Sequence, residues 1–95
     1  MAIRSFRGKF AEAILRDRRV PKGFPAGIAD AARAKLVILR SAGRLDALRS
    51  PPGNRLEPLK GDLAGFHSIR INDQWRIIFR WTGNDAEDVE IVDYH

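Results

Sequence analysis

The last third of this chain concentrates side chains whose types and spacing suit chemistry on a phosphate. Lys60, Arg70, Arg76 and His95 all fall between Lys60 and His95. In that stretch apolar and cationic residues alternate at the period of a β-strand, so a small sheet can gather the four around one phosphate. Fixed cations stabilise negative charge that develops on phosphate oxygens. Histidine, with an unperturbed pKa of about 6.5, can take or give a proton near neutrality. On a small basic protein, the combination suggests RNA chemistry rather than a generic globular domain.

Those residues need elements to hold them. Phe66–Asn72 and Trp75–Trp81 read as two strands joined tightly near Asp73. Thr82-Gly83-Asn84-Asp85 supplies the next turn, and Asp88–Asp93 the last strand. Arg55–Lys60 is a further strand, which Pro58 confines to an edge or a bulge. Upstream, Ala2–Phe6 alternates as a short strand. Lys9–Arg18 reads as a helix with Phe10, Ala13, Ile14 and Asp17 at helical spacing, ending before the breaker cluster Val20-Pro21-Lys22-Gly23. A second helix starts after Pro25, with Ile28, Ala31, Ala32, Lys35, Leu36 and Leu39 on one stripe. Gly43 can end it, and Arg44–Arg49 adds a short helical turn. The predicted order is β-α-α-β-β-β-β: an α+β fold with two N-terminal helices on one face of a small, mainly antiparallel sheet. Ile69, Ile71, Trp75, Ile77 and Phe79 face the helices, which turns Arg70, Arg76 and Arg80 to the opposite face. His67 falls on the core-facing parity and reads as a structural or rim histidine.

Composition sets the bounds. Ninety-five residues allow one domain, 1–95. No apolar run approaches the roughly 18–20 residues of a membrane span. The basic N-terminus lacks the apolar core of a signal peptide. The absence of cysteine fits a reducing, cytoplasmic setting. Charge is unevenly spread: residues 1–22 carry seven basic and two acidic side chains, residues 23–53 five and two, and residues 54–95 five and eight. A net charge of +5 draws the chain toward polyanions. The acidic run Asp85, Glu87, Asp88, Glu90 and Asp93 lies mostly on one hairpin and reads as a solvated face rather than a metal site; no metal or other cofactor is expected.

In order along the chain, IRSFRGK, NRLEPLKGDLAG, SIRINDQWRIIFRW and DVEIVDYH resemble the HigB branch of the RelE-like toxins. These are bacterial mRNA endonucleases of type II toxin–antitoxin modules (the plasmid maintenance killer proteins). The resemblance spans nearly the whole chain. It implies ribosome-dependent, metal-independent mRNA cleavage, in which a ribose 2′-hydroxyl attacks the adjacent phosphate and expels the 5′-oxygen. Lys60 of LKGD, Arg76 of QWR and His95 of DYH match the family's functional positions, and Arg70 of SIRIN joins them as a fourth catalytic candidate. Arg76 would take the scissile phosphate. Lys60 would steady the transition state or take the 2′-proton, and His95 would act as acid or base. Gln74, Arg80, Asp93 and Tyr94 are expected to bind substrate; Tyr94 suits stacking or proton donation, and Asp93 suits orienting a neighbour.

The resemblance also implies partners. These are a helix-turn-helix, HigA-like antitoxin, the ribosome with its mRNA, and operator DNA through the antitoxin complex only; no membrane is involved. Arg4, Arg7, Lys9, Arg16, Arg18, Arg19 and Lys22 would meet ribosomal RNA or an acidic antitoxin surface. The alternative reading is a non-catalytic basic module for RNA, DNA or protein, or a degenerate toxin.

Overall fold

The computed structural model describes residues 2–93. Two helices, α1 (Phe10–Leu15) and α2 (Ala29–Ser41), precede a four-stranded sheet of β1 (Glu57–Pro58), β2 (Phe66–Arg70), β3 (Trp75–Thr82) and β4 (Asp85–Asp93). The strands follow one another in space as in sequence, and each neighbouring pair is antiparallel. Short 3-10 turns at Ala26–Ile28, Leu45–Arg49, Pro52–Asn54 and Gly61–Leu63 fill the connections. Among the described residues no helix is long and apolar enough to cross a membrane.

The expected first strand is only partly formed. Ala2–Phe6 is extended, but it meets the sheet through two isolated bridges, Ile3 to Ala86 and Phe6 to Val89, and runs parallel to β4. Between the bridges β4 bulges: Ile78 faces Glu90 while Arg80 faces Glu87, so two β4 residues oppose Phe79. Asp88, at φ 53°, takes up the extra residue, and its N–H donates to Ser5 Oγ at 2.8 Å. A ladder broken at that point cannot continue as a regular parallel strand.

Helix α1 stops three residues short of the predicted Arg18. Arg18 turns left-handed (φ 55°), and the Asp17 and Arg19 N–H groups reach back to the Glu12 and Ala13 carbonyls. Arg33 Nε donates to the freed Ile14 carbonyl at 3.2 Å, which ties α1 to α2. The predicted α2 stripe holds at Ala32, Leu36 and Leu39, each fully buried, but Ala31 is exposed and Ala29 takes its place. Lys35 stays at the stripe's margin because its ammonium donates to Asn54 Oδ1 at 2.6 Å. Buried Asn54 in turn donates to the Leu48 and Ser50 carbonyls, which fixes the change from helix to sheet.

β1 is shorter than the predicted Arg55–Lys60. Pro58 has no N–H to donate, and the pairing with β2 covers only Glu57 and Pro58. In contrast, β4 begins at Asp85 rather than Asp88, lengthening the hairpin. The core lies between the helices and one face of the sheet. Ile69, Trp75, Ile77 and Phe79 are buried there as predicted, while Ile71, just past the end of β2, is only partly buried.

Candidate active site on the arginine face

The site is built from the turn outward. Between β2 and β3, Asn72 Oδ1 accepts the Gln74 and Trp75 N–H groups at 2.9 and 2.7 Å, so one side chain closes the turn. Trp75 is then locked into the core by Phe10 and Phe24, with ring centroids 6.0 and 5.1 Å away. Because Trp75 is pinned inward, Arg76 must point outward. Strand register carries the same parity along the sheet: Arg70 lies directly opposite Arg76, Ser68 opposite Ile78, and Phe66 opposite Arg80. The structure therefore brings Arg70, Arg76 and Arg80 to one face, away from the helices.

That face is not bare. Phe66, Ser68 and Ile78 are buried in it and stand outside the core that the helices close. Arginine arms reach Phe66 and Ser68 there. Arg76 Nη1 donates to Ser68 Oγ at 3.0 Å and meets Glu57 Oε1 at 3.2 Å, leaving its side chain only 15% exposed. The Arg80 guanidinium sits 4.5 Å from the Phe66 ring centre, and Arg7 reaches the same ring at 5.6 Å. Gly65, at φ +93°, brings the chain close beneath Arg80: a Cβ there would stand 3.4 Å from the guanidinium. Carboxylates complete the lattice. Arg80 pairs with Asp88 (3.6 Å), Arg7 with Glu90 (3.9 Å), and Arg70 with Asp73 across the turn. The acidic hairpin is thus spread among arginines, with Asp85 and Glu87 meeting Arg4.

The other predicted site residues are less closely gathered. Lys60 follows β1 and opens the Gly61–Leu63 turn, where its carbonyl accepts the Leu63 N–H at 3.2 Å. Its side chain is exposed and, among the described residues, its ammonium makes no hydrogen bond or ion pair. Gln74 Nε2 donates to Asp93 Oδ2 at 3.0 Å, joining the turn to the end of β4. The predicted roles of Tyr94 and His95 fall outside the described residues. His67 lies on the helix side, stacked 6.1 Å from Phe79, with a buried Nδ1 that finds no partner among the described residues; burial lowers its pKa.

Glu57 and Ser68, which hold Arg76, were missed from sequence, and Arg7 was expected among the N-terminal cations rather than on this face. Glu57 lies nineteen positions from Arg76 and meets it only through the β1–β2–β3 register. Arg7 crosses to the face from the N-terminal segment, which no strand periodicity could signal.

The fold defines the class first. The structure superposes on a YafQ variant from E. coli with a TM-score of 0.61 over 96% of this chain and 90% of that one, at 14% identity. A YoeB/ParE toxin from Agrobacterium tumefaciens gives 0.56 at 23% identity, over 100% of this chain and 99% of that one. The architecture is therefore the fold these two structures share. Sequence then sets the family. Residues 4–95 match the profile described as RelE-like toxin of type II toxin–antitoxin system HigB, and the chain belongs to that family. Toxin HigB-1 of Vibrio cholerae is 43% identical over 85% of both chains. Endoribonuclease HigB of Proteus vulgaris is 33% identical over 98% of this chain and 99% of that one.

Proposed function

We propose that this type II toxin is an endoribonuclease that cuts mRNA on the ribosome, with the arginine face as its active surface. The observation that carries this reading is the seat of Arg76. Its guanidinium is held by Ser68 and Glu57, directly opposite Arg70, on the sheet face turned away from the helix-packed core. A cation fixed in advance needs little reorganisation when charge builds on a phosphorane, and such preorganisation is often the largest catalytic contribution.

In the proposed reaction the ribose 2′-oxygen bonds to the adjacent phosphorus and the 5′-oxygen leaves with its bonding pair. The 2′-proton goes to a base, and the leaving oxygen receives a proton from an acid. Arg76 would bind the scissile phosphate, with Arg70 and Arg80 beside it. Glu57, a half-exposed carboxylate against Arg76, becomes a candidate base alongside Lys60 and His95. Asp93 lies opposite Trp75, the neighbour of Arg76 in β3. His95 is assigned to acid–base work in this reading. Gln74, Asp93 and Tyr94 would bind substrate. No step is assigned to a metal. Membership of a type II family brings a cognate antitoxin; we assign it a helix-turn-helix domain, through which operator DNA would be bound, and place the pair in the cytoplasm.

The test is inducible expression in a bacterial host, wild type beside His95→Gln, with 5′ ends mapped on translated messages. Arrest with in-frame cuts in the wild type alone supports the reading. Healthy growth and intact transcripts from soluble wild-type protein contradict it.

A further inference from the structure

Asn54 and Ser68 are the buried polar side chains among the described residues. Asn54 is accounted for by Lys35 and the two carbonyls it joins at the change from helix to sheet. Ser68 is different. It lies fully buried in the middle of β2, where a β-branched or aromatic side chain would pack without needing a polar partner. A buried hydroxyl left unpaired is costly, so a serine here points to the group it meets. That group is Arg76, whose Nη1 donates to Ser68 Oγ at 3.0 Å.

The register shows how the contact is made. Glu57, Ser68 and Ile78 stand in one row across β1, β2 and β3, with Arg70 and Arg76 in the next. Arg76 reaches its serine diagonally, a span of about 7–8 Å that a long side chain can bridge. The same Nη1 lies 3.2 Å from Glu57 Oε1. These two partners differ in kind. Glu57 is charged and its side chain is 47% exposed, so the pair is open to water and holds weakly. Its carboxylate also competes with any phosphate for the guanidinium, since both are anions of the same geometry. Ser68 is neutral and out of water, and it orients the guanidinium without cancelling its charge. We infer that Ser68 is a positioning residue of the proposed cleavage, keeping Arg76 Nη1 against the sheet while the substrate phosphate displaces the Glu57 carboxylate. The inference rests on the nuclease reading and divides the seat of Arg76 into a fixed anchor and an exchangeable counter-ion.

The test is single-turnover cleavage of a message on programmed ribosomes by wild type, Ser68→Ala, Arg76→Ala and the double variant, with thermal melts to verify folding. Losing one charge-assisted hydrogen bond should slow the maximal rate of Ser68→Ala about tenfold, with the half-saturating toxin concentration near its wild-type value. In the Arg76→Ala background the serine change should do nothing further, because the two residues act through one contact. A second readout stands apart from cleavage. By side-chain NMR, rotation of the Arg76 guanidinium should be slow in wild type and in Glu57→Gln, and should quicken in Ser68→Ala. A folded Ser68→Ala protein that cleaves at the wild-type rate would overturn the inference. So would an equal loss in both Arg76 backgrounds, the mark of a serine that serves only the fold, or guanidinium rotation that Ser68→Ala leaves unchanged. A wild-type protein that leaves transcripts intact would instead end the nuclease reading, while the rotation would still show whether Ser68 anchors Arg76.

Discussion

The two faces of the sheet solve different problems with the same strands. On one, Ile69, Trp75, Ile77 and Phe79 are closed over by α1 and α2. On the other, Phe66, Ser68 and Ile78 are equally buried, and the arms of Arg7, Arg76 and Arg80 lie against Phe66 and Ser68. Long cationic side chains can shield apolar surface while keeping their heads toward solvent. A face covered in this way gives up helix packing but presents a row of positioned cations. Removing one of them uncovers the surface beneath as well as deleting a charge.

The contrast between the faces can be broken most forcefully from the core side. Phe79→Ala should cost about 3–5 kcal/mol and abolish every activity by unfolding the chain, to be read by denaturant melts. A mild loss would mean that the helix-covered face is less essential than its packing indicates. On the arginine face, Glu57→Gln separates two roles. As a base, Glu57 is worth about 10²–10⁴-fold in cleavage rate, whereas as a mere partner of Arg76 its neutralisation changes the rate only a few-fold. Arg80→Ala is predicted to act on binding. Affinity for single-stranded RNA should drop, and the slope of log affinity against log salt should fall by about 0.7, the share of one cation. An unchanged slope would remove Arg80 from the RNA surface. The smallest effect concerns His67. Burial lowers its folded pKa, so the unfolded chain binds more protons just below the usual value of about 6.5. Its contribution to stability is complete above that value and is lost as pH falls through the lowered one. His67→Gln should flatten this part of the acid slope in thermal melts; a slope that persists belongs to the carboxylates.

Much of this contrast was legible in the chain. Trp75 to Arg80 alternates strongly enough to fix which residues face the helices, and the register confirms that Arg70, Arg76 and Arg80 share the opposite side. The long α2 stripe was legible for the same reason, a sustained period; only its margin at Ala31 was misassigned. What escaped depends on tertiary partners. Arg18 closes α1 without a glycine to announce it. Ala2–Phe6 reads as a strand, but its parallel course and two-bridge contact follow from the β4 bulge at Asp88. Asn54 shows no hint of burial in sequence, because its partners Lys35, Leu48 and Ser50 converge only after folding. Glu57 escaped likewise, since a two-residue edge strand carries no periodicity to extend.

The most direct test of the account is single-turnover cleavage of a message on programmed ribosomes by wild type and Arg76→Ala, with melting temperature and antitoxin affinity measured on both. The account predicts a rate lower by about 10²–10³-fold in a folded, antitoxin-competent Arg76→Ala protein. A folded variant that cleaves at nearly the wild-type rate would contradict it, and would move the chemistry away from the arginine face.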